Sequence, residues 1–215
     1  MNVNPTRMEL SRLKKRLVTA TKGHKLLKDK RDELMRRFLQ TVRENKDLRI
    51  EVESELENAN RHFSVARSVM EPSELAVALM APKQEINLDI TTKNVMSVNI
   101  PVYEVKAKTG RSEDIYSYGY AFTSAELDTA VSSLSSVMPK LLRLAETEKS
   151  AQLLSAEIEK TRRRVNALEH VMIPDLKDTI KYITMKLDEN ERSSTARLMK
   201  VKDMMLEKAH HWNGK

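Results

Sequence analysis

From residue 6 to residue 70 a stripe of apolar positions recurs three or four apart, or seven or ten apart where one or two members are polar. They are Leu10, Leu13, Leu17, Ala20, Leu27, Leu34, Phe38, Leu48, Val52, Leu56, Ala59, Phe63, Ala66 and Met70. That is the period of a narrow coiled-coil seam, because residues three and four apart share one helical face. The polar members of the series are His24, Arg31, Thr41 and Asn45. Polar groups on a seam cost stability and fix register and partner. The stretch has no proline and one glycine, Gly23; Asn4-Pro5-Thr6 supplies a start signal and Glu71-Pro72 a stop. A helix of this length would extend about 95 Å, more than a globular core buries.

A second stripe runs from about Ser124 to about Lys208. It reads Leu127, Val131, Leu134, Met138, Leu141, Ala145, Ala151, Leu154, Ile158, Val165, Leu168, Met172, Leu176, Ile180, Ile183, Leu187, Leu198, Val201 and Met205. Ser124 and Glu126 mark its start, the glutamate placed where the helix dipole favours an anion. Pro139 and Pro174 fall inside the pattern, and each predicts a local bend. The stripe resumes beyond both, so they read as bends in one helix and not as domain boundaries.

Between the helices the period changes. Ile86, Leu88 and Ile90 alternate with polar residues, as do Met96, Val98, Ile100 and Val102, and Thr91-Thr92-Lys93-Asn94 reads as the turn of a β-hairpin. Tyr103, Tyr116, Tyr118, Tyr120 and Phe122 gather behind it, and Lys106 to Asp114 reads as an exposed loop. The expected fold is therefore all-α dominated: a long, left-handed antiparallel two-helix coiled coil made by the N- and C-terminal segments, with a small hairpin-containing insert. The expected divisions are 1–70, 71–123 and 124–215. Pairing residue 70 with about 126 places residue 6 opposite about 190. The C-terminal end then overshoots, with Leu198, Val201, Met204 and Met205 still striped. A lone helix with an apolar face is poorly stabilised in water, which predicts that this tip inserts into another protein.

Composition agrees with helices: 215 residues, 32% charged, 4% aromatic, four glycines. The absence of cysteine excludes disulfides and thiolate metal sites. No apolar run approaches the roughly 20 residues of a membrane span, and no signal-peptide core is seen at the N-terminus. Charge is uneven: residues 1–37 carry 12 Lys and Arg against 4 Asp and Glu, and residues 160–215 carry 13 against 8, while the middle is mildly acidic. A chain folded back at its centre would have one basic tip and one acidic end.

The sequence offers no catalytic, cofactor or metal constellation. Lys22-Gly23-His24-Lys25 lacks the upstream glycine and the following Ser or Thr of a phosphate loop. His24 reads as a polar seam residue, and His210 and His211 beside Trp212 as a frayed tail. Arg162, Arg163 and Arg164 point about 100° apart on a helix, so at most one or two meet a given partner. Arg7, Arg12, Lys14, Lys15, Arg16, Lys22, Lys25, Lys28 and Lys30 surround the first helix. That suits a collar of acidic protein groups or a nucleic-acid backbone. The lack of interleaved aromatics argues against stacking on single strands but leaves duplex contact open. On periodicity and composition alone, the chain is an antiparallel coiled-coil scaffold or a nucleic-acid-binding protein using its basic ends.

The run Asn2-Val3-Asn4-Pro5-Thr6-Arg7-Met8-Glu9-Leu10, Leu13-Lys14 and Gly23-His24-Lys25-Leu26-Leu27-Lys28-Asp29-Lys30 resembles the opening of the D subunit of V/A-type (V-type) rotary ATPases. Glu159 to Glu169, Ile173-Pro174, Met185-Lys186-Leu187 and Glu189-Asn190-Glu191-Arg192 resemble the same family's second helix. The resemblance is weak across 71–123. It implies a non-catalytic central-stalk rotor without cofactors, on the cytoplasmic side as a peripheral part of a membrane-bound complex. Its paired termini would enter the barrel of A and B catalytic subunits, with contacts expected at Arg7, Arg12, Lys14, Arg197, Leu198, Lys200, Val201 and Met205. The F subunit would bind laterally, with Arg162, Arg163 and Arg164 as the expected contact, and the lower end would meet the funnel-shaped subunit on the membrane ring. Neither nucleic-acid binding nor membrane insertion is implied.

Overall fold

The computed structural model describes residues 4–81, 83, 85–107, 115–119 and 123–212, with the backbone alone at 107 and 207–212. Of the loop expected from Lys106 to Asp114, Lys106 and Ala107 are strand instead and 108–114 lie outside the described residues, as do Tyr120, Phe122 and the side chains of His210, His211 and Trp212. Of the described residues 81% are helical, with long N- and C-terminal helices and a two-stranded antiparallel hairpin in the middle. In chain order these are α1 (Arg7–Val69), α2 (Pro72–Leu79), β1 (Ile86–Val95), β2 (Val98–Ala107), α3 (Ala125–Ala167), a π-turn (Leu168–Met172) and α4 (Ile173–Trp212). Among the described residues no helix is long and apolar enough to cross a membrane. Two compact units divide the chain, one over 32–159 and one formed by 1–31 with 160–215.

α1 starts where the sequence signals it. Thr6 caps it, its Oγ1 accepting the N–H of Glu9 at 3.2 Å, which satisfies one of the first-turn donors that lack a helical partner. Ser124 does the same for α3 by accepting the N–H of Glu126 at 3.2 Å. Glu71-Pro72 both ends α1 and starts α2, with Pro72 at the position where its missing N–H costs nothing.

In the unit over 32–159, α1 and α3 run antiparallel. Asn45 donates to Thr147 at 3.4 Å, and Lys140 donates to Glu51 at 2.6 Å and also to Glu55. One buried cluster joins Ala66, Met70, Leu75, Ala78 and Leu127, so α2 folds against the end of α1 and the start of α3. The segment after the hairpin is fastened there too. Ser117 donates to the Ala78 carbonyl at 3.2 Å, Tyr118 donates to Asp128 at 2.8 Å, and Tyr116 meets Tyr118 edge to face at 6.1 Å. Burial, then the Asp128 carboxylate, raises the Tyr118 phenol above its ordinary pKa.

The second cluster is unexpected. Leu34, Leu154 and Ile158 from the two helices enclose Val98, and Met96 and Ile100 pack against them. The hairpin therefore folds back and docks its tip on the helices. Its register pairs Val95 with Val98 and Ile86 with Ala107, so the turn is Met96-Ser97, not the expected Thr91 to Asn94. Both turn residues have positive φ, 53° and 71°. That is the primed geometry that twists with the strands, and it usually calls for Gly or Asn. Asn94 supports it by accepting the Ser97 N–H at 3.2 Å and donating to Asn99 at 2.8 Å.

Every apolar stripe position of α1 is buried or half-buried, and so are the four polar ones. In α3 the stripe slips: Leu134 and Met138 are each 41% exposed, while Ala130 and Val137 are buried instead. Leu134 and Met138 line a groove of about 600 Å³ with Ile86 and Val105 at the base of the hairpin. α3 continues through Pro139 without a break. At Pro174 the helix answers differently. The π-turn precedes it, with the Ile173 N–H bonded to the Leu168 carbonyl five residues back.

Candidate partner-binding surfaces

In the unit formed by the termini, the early part of α1 runs antiparallel to α4. His24 Nε2 lies 3.3 Å from Glu169 in the π-turn, and Arg7 lies 3.9 Å from Glu191. Leu13, Thr161, Val165 and Ile183 are buried along this seam. With Asn45–Thr147 in the other unit, these pairs fall within about one and a half turns of the expected register. His24 is thus a seam residue with a carboxylate partner.

α1 begins at Arg7, opposite Glu191, so α4 continues past the last residue that α1 can set against it. Residues 188–206 are all exposed. Among them Leu198 and Met205 are 69% and 68% exposed, and Met199, Val201, Met204 and Leu206 are exposed as well. From Glu191 to Leu206 this end measures about 22 Å along its axis. Six large apolar side chains open to water on these sixteen residues of helix form a patch that marks an interaction surface.

Among the residues expected at the tip, Arg7, Arg12, Lys14, Arg197 and Lys200 are exposed, as are Leu198, Val201 and Met205. Arg12 is steadied by Glu9 at 3.6 Å on its own helix. Lys14 lines an open groove of about 590 Å³ with Arg7, Leu10 and Val18. The structure thus brings Arg7 to the foot of the overhanging segment, while Arg12 and Lys14 lie one and two turns further along α1. Arg162, Arg163 and Arg164 are exposed between the buried Thr161 and Val165, so the cluster wraps the outer side of the seam. Two apolar surfaces in the other unit were not foreseen: Val77 and Met80 at α2, 73% and 82% exposed, and the groove beside the hairpin. Val77 and Met80 lie outside either stripe, while Leu134 and Met138 fit the second stripe and are turned to the groove only by the fold.

The fold and these surfaces define a class: paired helical termini whose second helix outruns the first and leaves an apolar, basic-flanked end uncovered. The family model for the ATP synthase D subunit matches residues 9–203. A V-type ATP synthase D subunit from Clostridioides difficile is 63% identical over 209 residues, covering 97% of this chain and 94% of that protein. One from Acetivibrio thermocellus is 61% identical over 215 residues, covering 100% and 97%. One from Clostridium botulinum is 58% identical over 209 residues, covering 97% of each. The chain belongs to the ATP synthase D-subunit family.

Proposed function

We propose that this chain is the central-stalk rotor of a V/A-type ATPase, transmitting torque between ATP hydrolysis or synthesis in the catalytic head and proton or sodium translocation by the membrane ring. The observation that carries this reading is the uncovered apolar end of α4, with Arg197 and Lys200 on the same segment and the basic start of α1 at its foot. Such an end loses apolar contact with water when a sleeve of partner subunits surrounds it, by about 25 cal/mol for each Å² covered. The protein has no chemistry to perform in this role. It would act by presenting different faces to each catalytic interface in turn.

In this reading Arg7, Arg12, Lys14, Arg197, Leu198, Lys200, Val201 and Met205 meet the A and B subunits, and Arg162, Arg163 and Arg164 meet the F subunit. The segment over 71–123 belongs to the end that meets the funnel-shaped subunit, and the whole assembly sits peripherally on the cytoplasmic side of the membrane. Co-expression with the A, B and F subunits of the same genome tests it: one copy of this chain per head is the expected product. Deleting residues 198–215 should leave a folded subunit whose complex hydrolyses ATP without pumping ions. A chain that stays apart from A, B and F, or a truncated complex that pumps normally, overturns the reading.

A further inference from the structure

Gly23 is the sole glycine of the 63-residue α1. Its φ is not positive, and a Cβ added to it would meet nothing within 4 Å. Mid-helix glycine sacrifices stability relative to alanine, so some use should offset it. Neither backbone conformation nor packing inside the chain supplies one. Gly23 instead lines one end of a groove of about 490 Å³ on the unit formed by the termini. Arg12 with Lys15 and Arg16, three and four residues on, line it from α1, and Leu168, Met172 and Leu176 line it from the facing side. The π-turn shapes that side. Ile173, five residues after Leu168, is half-buried, and Met172 is left 44% exposed at the groove.

We propose that this groove is a socket for an apolar side chain carried on an acidic segment of a catalytic-head subunit, with the missing side chain at Gly23 giving it depth. The proposal rests on the rotor reading and adds the partner's chemistry. Three cations along the α1 side of an apolar groove select a partner that supplies both carboxylates and one apolar anchor. The same cations disfavour basic segments by repulsion. The socket lies on one side of the shaft, so in a head of repeated subunits it engages one copy at a time. It thereby serves as an angular index, a contact made and broken at each step.

The test uses the complete complex with Gly23→Ala, Gly23→Leu and the triple reversal Arg12→Glu, Lys15→Glu, Arg16→Glu. Open space at Gly23 means that both substitutions fold, and melting of the free Gly23→Ala chain, expected to rise, verifies it. Filling the socket with leucine should lower ATP turnover by about tenfold in a complex that still assembles, a cost typical of an overpacked contact. The triple reversal should do the same, and alanine should cost less than leucine. A photo-crosslinker at Thr19 should capture a head segment with carboxylates flanking an apolar residue. Unchanged turnover with Gly23→Leu, or capture of a non-acidic segment, overturns the socket while leaving the rotor reading standing. Failure of the wild-type chain to assemble with the head overturns the rotor reading itself, and the socket with it.

Discussion

The amide of Ile173 donates to the carbonyl of Leu168, five residues back, one residue before Pro174. Pro174 has no N–H for the carbonyl of His170, and a wider turn at this point is how the helix continues past the proline. Pro174→Ala supplies the missing donor. The expected outcome is a gain of about 1–3 kcal/mol in stability, at or below the usual cost of a proline inside a helix. Slower amide exchange from His170 to Asp175 should accompany it. Urea melts and hydrogen exchange of the purified chain check both.

Met96 and Ser97 hold positive φ for different reasons. Met96 is half-buried against the cluster of Leu34, Leu154 and Ile158, whereas Ser97 is exposed. The turn is thus kept by packing of its first residue, at a strain that its second residue need not bear. Ser97→Gly should stabilise the protein by about 1 kcal/mol, the usual cost of left-handed backbone at a residue with a Cβ. Met96→Gly should destabilise it, because packing is lost with the strain. Equal effects at the two positions in thermal melts would mean that the cluster does not hold the turn.

The α1 seam could be read from the sequence because each position reports burial through a fixed period. His24 and Asn45 find partners in Glu169 and Thr147, as register-fixing polar residues should. The hairpin turn could not be read, since neither Met96 nor Ser97 is the Gly or Asn that its positive φ favours, and Met96 is held by residues some sixty positions away in either direction. α2 was hidden because Glu71-Pro72 serves equally as a stop and as a start. Leu134 and Met138 fitted the period yet face a groove, because period alone does not choose between adjacent stripes. The overhang at α4 was legible as an unmatched length. The groove at Gly23 was not, since it needs the π-turn across from it.

Lys140 spans Glu51 and Glu55, one turn apart on α1, and Glu55 also keeps a buried oxygen without a hydrogen-bond partner among the described residues. The bond to Glu51, then that to Glu55, raises the lysine above its ordinary pKa. A raised lysine contributes stability below its unfolded pKa near 10.5, and that contribution disappears as pH climbs through the higher folded value. Lys140→Met should therefore lower the melting temperature at neutral pH, by leaving two carboxylates together without their cation. Adding Glu55→Gln should restore part of the loss. If the two changes add independently in a double-mutant cycle, the lysine is not shared as the geometry indicates.

Glu33 receives Arg36 and Arg37 from the next turn of α1, each at 2.9 Å. The Arg36 hydrogen bond, then that of Arg37, holds its carboxyl down at about 2, from an ordinary value of 4.5. A depressed carboxylate stabilises the fold above its unfolded pKa, and the contribution is lost as pH falls toward the folded value. Wild type should therefore lose an increment of stability between about pH 4.5 and 2 that Glu33→Gln lacks. The measurement is the difference between their urea midpoints at pH 5 and pH 2.5; a constant difference would rule the contribution out.

Ile183 and Leu198 lie on the same helix and the same predicted stripe, yet one is fully buried and the other 69% exposed. The seam ends between them, where α1 runs out at Arg7 opposite Glu191. Ile183→Ala removes contacts inside the chain and leaves a cavity, so it should cost about 2–5 kcal/mol in the isolated subunit. Leu198→Ala removes none, and should change that stability by less than about 0.5 kcal/mol. In the assembled complex the order should reverse for coupling. If the chain is the rotor proposed above, Leu198→Ala together with Met205→Ala should lower ion pumping per ATP, because that role makes partner subunits the cover for this end. Ile183→Ala, once folded in the complex, should pump nearly as wild type. If the exposed pair also proved neutral in the complex, the overhang would have no partner to cover it.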